Sequence, residues 1–232
     1  MKPIIILPTY NERENIKKII PILFEKINIS ILVVDDNSPD GTASIVEEFQ
    51  KKYPNLYLLK REKKDGLASA YITGFKYAID NGFDVFTQMD SDFQHPYEVL
   101  PNMLEEIELN NAEVVIASRY IKNGKWEKGS LKKEIISKLG NIYSRRVLDS
   151  KINDLTGGYN IWTKKALTEI GLDNIIAKGY MFQIEMKFLA ETKNLKIVEY
   201  PIKFRPRIEG ESKMDLKICL EALFKIWKLK TK

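Results

Sequence analysis

Short continuous apolar runs alternate with amphipathic stretches along the first half of the chain. Ile4–Leu7 is such a run, closed by Pro8. A run without polar alternation fits a strand buried on both faces. Helical spacing follows from about Glu14 to Lys26, where Ile16, Ile19, Ile20, Leu23 and Phe24 share one stripe. Ile29–Val34 predicts the next buried strand. Asp40 reads as the N-cap of a helix whose apolar face is Ile45, Val46 and Phe49. Leu56–Leu59 predicts a third strand. A helix from about Leu67 to Asp80 stops at Asn81-Gly82. Val85–Met89 reads as a fourth strand, Pro96 opens a helix to about Leu109, and Val114–Ala117 reads as a fifth strand.

Repeated strand–helix units with buried strands predict an α/β layered fold with a mostly parallel central sheet. The second half is less regular. Residues 121–134 are polar, rich in Lys and Gly, and read as a mobile loop. Helices are expected over about 134–148 and 180–193, and a strand over Leu195–Phe204. No internal repeat, linker or low-complexity segment interrupts the chain.

Composition narrows the class. With 44% hydrophobic and 30% charged residues over 232 positions, disorder is excluded and a sizeable core is available. At about 100–200 residues per domain, one large domain fits this length. The net charge of +5 suits an anionic partner such as a nucleotide, a phosphate or a membrane surface, or serves solubility alone. Cys219 is the one cysteine, so an intrachain disulfide is impossible and a reducing compartment is expected. No run approaches the roughly 20 apolar residues that span a bilayer. The first residues hold too short an apolar run for a signal peptide. A cytoplasmic protein, at most peripheral on the cytoplasmic face of a membrane, is therefore expected.

Three segments carry candidate chemistry, each after an expected strand. In Met89-Asp90-Ser91-Asp92-Phe93-Gln94-His95-Pro96, Asp90 and Asp92 can converge on one hard cation. Mg²⁺ or Mn²⁺ takes oxygen ligands and bridges diphosphate oxygens. Gln94 can add a carbonyl oxygen or hold a coordinated water. A bare Asp-x-Asp equally fits a solvated turn with Asp92 as a cap. Asp35-Asp36-Asn37-Ser38-Pro39-Asp40-Gly41-Thr42 offers acidic acceptors for base or ribose, or simply a turn and helix cap. Pro8-Thr9-Tyr10-Asn11-Glu12 offers Tyr10 for stacking and Glu12 for a ribose hydroxyl, or a capping segment. Ligands of open α/β sheets bind at the carboxyl ends of strands. Convergence of the three segments there describes a nucleotide-diphosphate site with a metal. Neither Gly-x-Gly-x-x-Gly after the first strand nor Gly-Lys-Ser/Thr is present, which disfavours dinucleotide and P-loop binding.

The chain resembles the dolichol-phosphate (polyprenol-phosphate) mannose synthases, inverting glycosyltransferases of the GT-A type. The resemblance rests on Pro8 through Ile16, Val34 through Thr42, Arg61 through Leu67 and Asp90 through Pro96. It continues in Ser118-Arg119-Tyr120, Asp154-Leu155-Thr156-Gly157, Gly179 through Met186 and Arg207 through Lys213. It implies a GT-A domain, Rossmann-like, over residues 1–214. The implied activity is transfer of mannose from GDP-mannose to a polyprenyl (dolichyl) phosphate with inversion, with Mg²⁺ or Mn²⁺ as cofactor and no nucleic-acid partner. Pro8, Tyr10, Glu12, Val34 and Asp36 would hold the nucleoside. Asp90, Asp92 and Gln94 would hold the metal, with Ser91 beside the diphosphate. Arg207 and Lys213 match the pair that receives the lipid phosphate, and Arg119 a further basic residue; Asp92, Arg207 and Lys213 would carry the catalysis. Two positions depart from the family pattern. Lys133 stands where Arg is frequent, keeping the charge without bidentate geometry. Asn160 stands where many members have Arg.

A phosphate monoester has a second pKa of about 6, so it is largely a dianion at neutral pH and attacks without a general base. His95, the single histidine, is accordingly expected in a supporting role. The Lys60–Lys64 run reads as a solvated face. Residues 215–232 carry Leu216, Leu220, Leu223, Phe224 and Trp227 at helical spacing among lysines. They read either as a basic amphipathic helix on an anionic membrane or as a helix packed on the core. A membrane-anchoring subunit is a possible partner. Competing readings are a UDP-glucose-dependent transferase, a different acceptor, and a non-catalytic nucleotide-sugar-binding protein.

Overall fold

The computed structural model describes residues 1–127, 131–177, 179, 181–207 and 226–230. Four strand–helix–strand passages build the first half: β1 (Pro3–Thr9), α1 (Arg13–Lys26), β2 (Ser30–Asp35), α2 (Thr42–Gln50), β3 (Leu56–Lys60), α3 (Leu67–Asp80), β4 (Val85–Gln88), α4 (Leu100–Leu109) and β5 (Val114–Ser118). The second half adds β6 (Lys125–Trp126), α5 (Leu131–Leu148), β7 (Asn160–Thr163), α6 (Lys164–Ile170), α7 (Met181–Thr192), β8 (Ile197–Pro201) and β9 (Lys203–Phe204).

Seven strands form one sheet in the order β3-β2-β1-β4-β7-β5-β8. All pairs are parallel except those of β7, which lies antiparallel between β4 and β5. The continuous apolar runs are explained by burial on both faces. Ile4, Ile6, Leu32 and Val34 join a core with Tyr71, Phe75, Phe86 and Trp162. Their neighbours Ile5, Leu7, Ile31 and Val33 join the opposite core with Ile16, Val46 and Leu100. On the first face α3 lies close to the sheet. A Cβ added at Gly74 would stand 2.9 Å from Ile6 Cγ2 and 3.0 Å from Val34 Cγ2.

Several local expectations shift. Asp40 is one residue before the Gly41 cap position, yet its carboxylate accepts the Thr42 N–H at 2.9 Å and so still caps the helix start. Gly41 takes φ +84°, which only glycine adopts without strain. The turn after Pro96 is 3₁₀ over Tyr97–Val99 before α4 begins. The expected strand over Leu195–Phe204 is two, β8 and β9. Part of the expected loop 121–134 is ordered, since β6 pairs in parallel with β9 and α5 starts at Leu131. In the helical turn 226–230, Ile226 and Leu229 are buried in the first core while Trp227 is exposed. Leu216, Leu220, Leu223 and Phe224 lie outside the described residues.

The topology positions the site. β1, β2, β3, β4, β5 and β8 run in the same direction, so the segments that follow them leave one edge of the sheet. β1 lies between β2 and β4, where the chain reverses its direction of sheet growth. Such a switch point opens a crevice for ligands.

Candidate active site

The first loop at this edge is set by Asp35. Its carboxylate accepts the Thr9 hydroxyl at 2.9 Å, the Ser38 N–H at 2.9 Å and the Ser38 hydroxyl at 2.6 Å. These bonds fix the loop after β2 against the loop after β1 and leave the next carboxylate, Asp36, to another partner. Arg61, just past β3, donates to Asp36 at 2.8 Å and to the Ser69 hydroxyl at 2.6 Å. Both charged side chains are largely buried. Burial raises the Asp36 pKa and the Arg61 cation pulls it back only in part. Arg61 is thus no part of a solvated basic face. The Lys64 ammonium lies 4.0 Å from the centre of the Tyr10 ring, a cation–π contact beside the same loop. Glu12 accepts from the Asn15 amide at 2.7 Å.

The acidic motif lies on the other side of β1. Asp90 is partly exposed, with 42% of its side chain accessible, and accepts the Tyr71 hydroxyl at 3.3 Å. Its N–H donates to His95 Nδ1 at 3.0 Å. An accepting Nδ1 requires an unprotonated nitrogen, and burial agrees, lowering the His95 pKa to about 4. His95 therefore braces the Asp90 backbone, stacked on Tyr159. Asp92 is buried, and its pKa is raised by burial and then by the Asp90 charge. Arg207 pairs with Asp92 Oδ2 at 2.7 Å. Two bonds deliver Arg207 there: the Arg205 N–H donates to the Gln94 carbonyl at 3.0 Å, and the Gln94 amide donates to the Arg205 carbonyl at 3.2 Å. Ser91 is buried within the same turn.

Beyond β5 stands a buried ion pair. Arg119 donates from Nε and Nη2 to the two Asp154 oxygens, each at 2.8 Å. Its Nη2 also reaches Thr156 Oγ1 at 2.9 Å, and its Nη1 reaches Ser137 Oγ on α5 at 3.3 Å. Tyr120, Trp126 and Phe204 place ring centres 5.1–5.3 Å from the guanidinium carbon. Burial acts to raise the Asp154 pKa, but Arg119 and then Lys187 outweigh it and hold it at about 2. Lys187, wholly buried, donates to the carbonyls of Asp154 at 2.9 Å and Gly157 at 2.7 Å; burial lowers its pKa to about 7. Glu199 on β8 accepts the N–H groups of Asn153 and Asp154, anchoring the turn from below.

A family model described as glycosyl transferase family 2 matches residues 4–171. The chain belongs to glycosyl transferase family 2. Among curated relatives of this transferase, an undecaprenyl-phosphate mannosyltransferase of Micrococcus luteus is 39% identical over 97% of this chain and 93% of its own. A polyprenol monophosphomannose synthase of Mycolicibacterium smegmatis is 36% identical over 97% of this chain and 85% of its own. A dolichol-phosphate mannosyltransferase of Pyrococcus furiosus is 40% identical over 99% of this chain, which spans 64% of that relative. Two solved structures share the GT-A fold, each at 15% identity. One is a mannosyltransferase of Pyrobaculum calidifontis in complex with GDP-Man and Mn²⁺, with TM-score 0.61 over 98% of this chain and 69% of that one. The other is a glucosyl-3-phosphoglycerate synthase of Mycobacterium tuberculosis with Mn²⁺, UDP and phosphoglyceric acid, with TM-score 0.67 over 98% and 76%.

The transferase brings Pro8, Tyr10, Glu12, Val34, Asp36, Asp90, Ser91, Asp92 and Gln94 to one strand-end edge, and the contact with Asp92 brings Arg207 there as well. Arg119 leaves the same edge but is engaged by Asp154. Lys213 and the Lys133 side chain lie outside the described residues. Asn160, at the position that departs from the family pattern, is buried and donates to Gln88 at 3.2 Å and Gln183 at 3.1 Å. Arg61, Ser137, Asp154 and Lys187 were not assigned roles from sequence. Arg61 carried a signal in its match to the Arg61–Leu67 motif, as did Asp154 in its own motif. Lys187 carried none, being a lysine on an apolar helix. Among the described residues no helix is long and apolar enough to cross a membrane, and no three His, Cys, Asp or Glu side chains cluster as a metal cage.

Proposed function

We propose that the chain transfers a mannosyl group from GDP-mannose to the phosphate of a polyprenyl or dolichyl lipid, with inversion, yielding the polyprenyl-phosphate sugar. The observation that carries the reading is similarity along nearly the whole chain to relatives named for this one transfer. The site is consistent with it. Asp36, with Pro8, Tyr10, Glu12 and Val34, is assigned to the nucleoside. Asp90, Asp92 and the Gln94 amide oxygen are the candidate ligands of a Mg²⁺ or Mn²⁺ ion. The donors fit: all are oxygens, and the buried Asp92 beside Asp90 gathers negative charge that a hard dication compensates. When bound, such an ion neutralises the charge growing on the leaving diphosphate.

Arg207, with Lys213, is assigned to the acceptor phosphate, Lys133 to a further phosphate contact and Ser91 to the diphosphate; Arg119, a further basic residue of the site, is held by Asp154. Arg207 reaches Asp92 in this structure, so the acceptor cation and the metal-side carboxylate share one locus. Holding the attacking phosphate opposite the leaving group supplies rate through orientation. Burial lowers the His95 pKa to about 4 and its Nδ1 already accepts the Asp90 N–H, so it is a poor proton acceptor, and a phosphate dianion needs no base. The membrane surface, and with it an anchoring subunit, belongs to this reading because the acceptor is a lipid.

The test is transfer of label from GDP-mannose, with UDP-glucose in parallel, to a polyprenyl phosphate in Mg²⁺, Mn²⁺ or EDTA. Metal-dependent label in the organic phase from GDP-mannose is expected. Label from UDP-glucose alone would overturn the sugar assignment. A folded, nucleotide-binding protein giving no label would overturn the acceptor.

A further inference from the structure

Among the described residues Lys187 is the one buried lysine. It stands on α7 beside Phe182, Met186 and Ala190 of the first core. An apolar side chain would fill such a position without the cost of burying a basic group. What the lysine adds is a hold on two backbone carbonyls, Asp154 at 2.9 Å and Gly157 at 2.7 Å. Both bonds land on one turn. The Gly157 N–H closes that turn on the Asp154 carboxylate at 2.9 Å, and Asn160 on β7 adds a longer bond of 3.4 Å to the Gly157 carbonyl.

The turn is a wall of the candidate active site. A Cβ added at Gly158 would stand 3.7 Å from His95 Cε1 and 3.8 Å from Asp90 Oδ2. The backbone at residue 158 therefore lies against the partly exposed carboxylate assigned to the metal. The next side chain, Tyr159, stacks on His95 with ring centres 5.0 Å apart, and His95 accepts the Asp90 N–H. A shift of residues 157–159 thus reaches Asp90 twice, once directly and once through the imidazole. Interiors are close-packed, so such a shift is not absorbed on the way.

Residue 160 bears on the same carbonyl. Asn160 departs from the family pattern of Arg, and its short amide makes only the longer bond to Gly157. The short bond comes from the other side of the turn, by a long basic side chain on α7.

We propose that Lys187 is a positioning residue of the transferase. Through the Asp154 and Gly157 carbonyls it fixes the turn of residues 157–159 against Asp90 and His95, and it supplies from α7 the long basic donor that the family pattern puts at residue 160. The consequence for turnover rests on the proposed function, whereas the positioning itself is read from a signal that needs no substrate.

His95 is the single histidine, so its ring Cε1–H gives one resonance that reports the contact with Gly158 and the stacking on Tyr159. It is recorded at pH 7.5 in the full chain, together with kcat and KM for transfer of label from GDP-mannose. In Lys187→Met the resonance should move by more than its linewidth. There kcat should fall on the order of tenfold to a hundredfold, as misplacement of reacting groups by about an ångström does. KM should change little, because the contact acts on geometry and not on uniform binding. Lys187→Ala/Asn160→Arg should bring both readouts back towards wild type, and Lys187→Ala alone should not. Should Lys187→Met not fold, Lys187→Gln, which keeps one donor group for two carbonyls, is read in the same way. A folded variant with an unmoved His95 resonance overturns the proposal, as does a moved resonance with wild-type kcat. A folded swap that restores neither readout overturns the exchange with residue 160. Wild-type protein without turnover counts against the proposed function alone, and the resonance then decides the positioning.

Discussion

Asp154→Asn tests the reasoning about the buried ion pair. The wild-type carboxylate accepts the Arg119 N–H at 3.0 Å, Arg119 Nε and Nη2 at 2.8 Å each, and the Gly157 N–H at 2.9 Å. It also faces the Lys187 ammonium. Asparagine keeps the shape, removes the one negative charge and turns an NH₂ towards donors. Arg119 then lacks its counter-ion, and Lys187, whose pKa burial lowers to about 7 with Asp154 holding it up, releases its proton. Breaking a buried pair in this way costs about 3–5 kcal/mol. In a chain of this size each kcal/mol moves the melting temperature by about 2–4 °C, so a drop of roughly 6–20 °C is expected at pH 7. The pH dependence gives a second reading. The folded carboxyl titrates at about 2 against an ordinary 3.8. As pH falls, the unfolded chain therefore takes the proton first. Stability worth about 2–3 kcal/mol is present above pH 4 and is lost as pH falls towards 2. The gap between wild type and variant should narrow over that window. Thermal melts by circular dichroism from pH 7 down to pH 2 measure both effects. The double variant Arg119→Met/Asp154→Leu removes the stranded charge and should melt above Asp154→Asn. A variant within about 2 °C of wild type at pH 7, or a double variant no better than the single one, would refute the account.

Arg61→Leu strips Asp36 of its 2.8 Å partner and leaves a buried carboxylate unpaired. GDP affinity measured by titration calorimetry should fall about tenfold, roughly 1.4 kcal/mol, and unchanged affinity would detach Asp36 from the nucleotide. Gly74→Val places methyls against Ile6 and Val34, where even a Cβ stands 2.9 and 3.0 Å away. Overpacking should cost about 1–3 kcal/mol in chemical denaturation, and a variant as stable as wild type would show that α3 can lift from the sheet freely.

The parallel half of the fold was legible because its strands are buried on both faces, which leaves uninterrupted apolar runs such as Ile4–Leu7 and Val114–Ala117. β7 was not. Its four residues, Asn-Ile-Trp-Thr, begin with a buried amide whose partners, Gln88 and Gln183, come from distant elements. Nothing local to residues 160–163 distinguishes that strand from the loop before it. β6 is two residues long and exists only by pairing with β9, so periodicity has no window in which to find it.

The site divides in the same way. Candidates that leave a strand end, Asp36, Asp90 and Asp92, were visible from spacing, although the turn-and-cap reading stays open without the family resemblance. Those whose role depends on a partner across the fold were not. Arg61 read as part of a solvated run because its neighbours are lysines, yet the parallel pairing of β2 with β3 sets Lys60 level with Asp35 and so delivers the next residue to Asp36. Lys187 carried no reading from sequence, yet it points inward to the carbonyls of Asp154 and Gly157. An ammonium survives there because Asp154 supplies a charge within the same cluster. The cation at residue 187, the anion at 154 and the guanidinium at 119 are thus one unit drawn from three elements. Removing the central anion should therefore cost more than removing either outer cation, an ordering that melts of Asp154→Asn, Lys187→Met and Arg119→Met can decide.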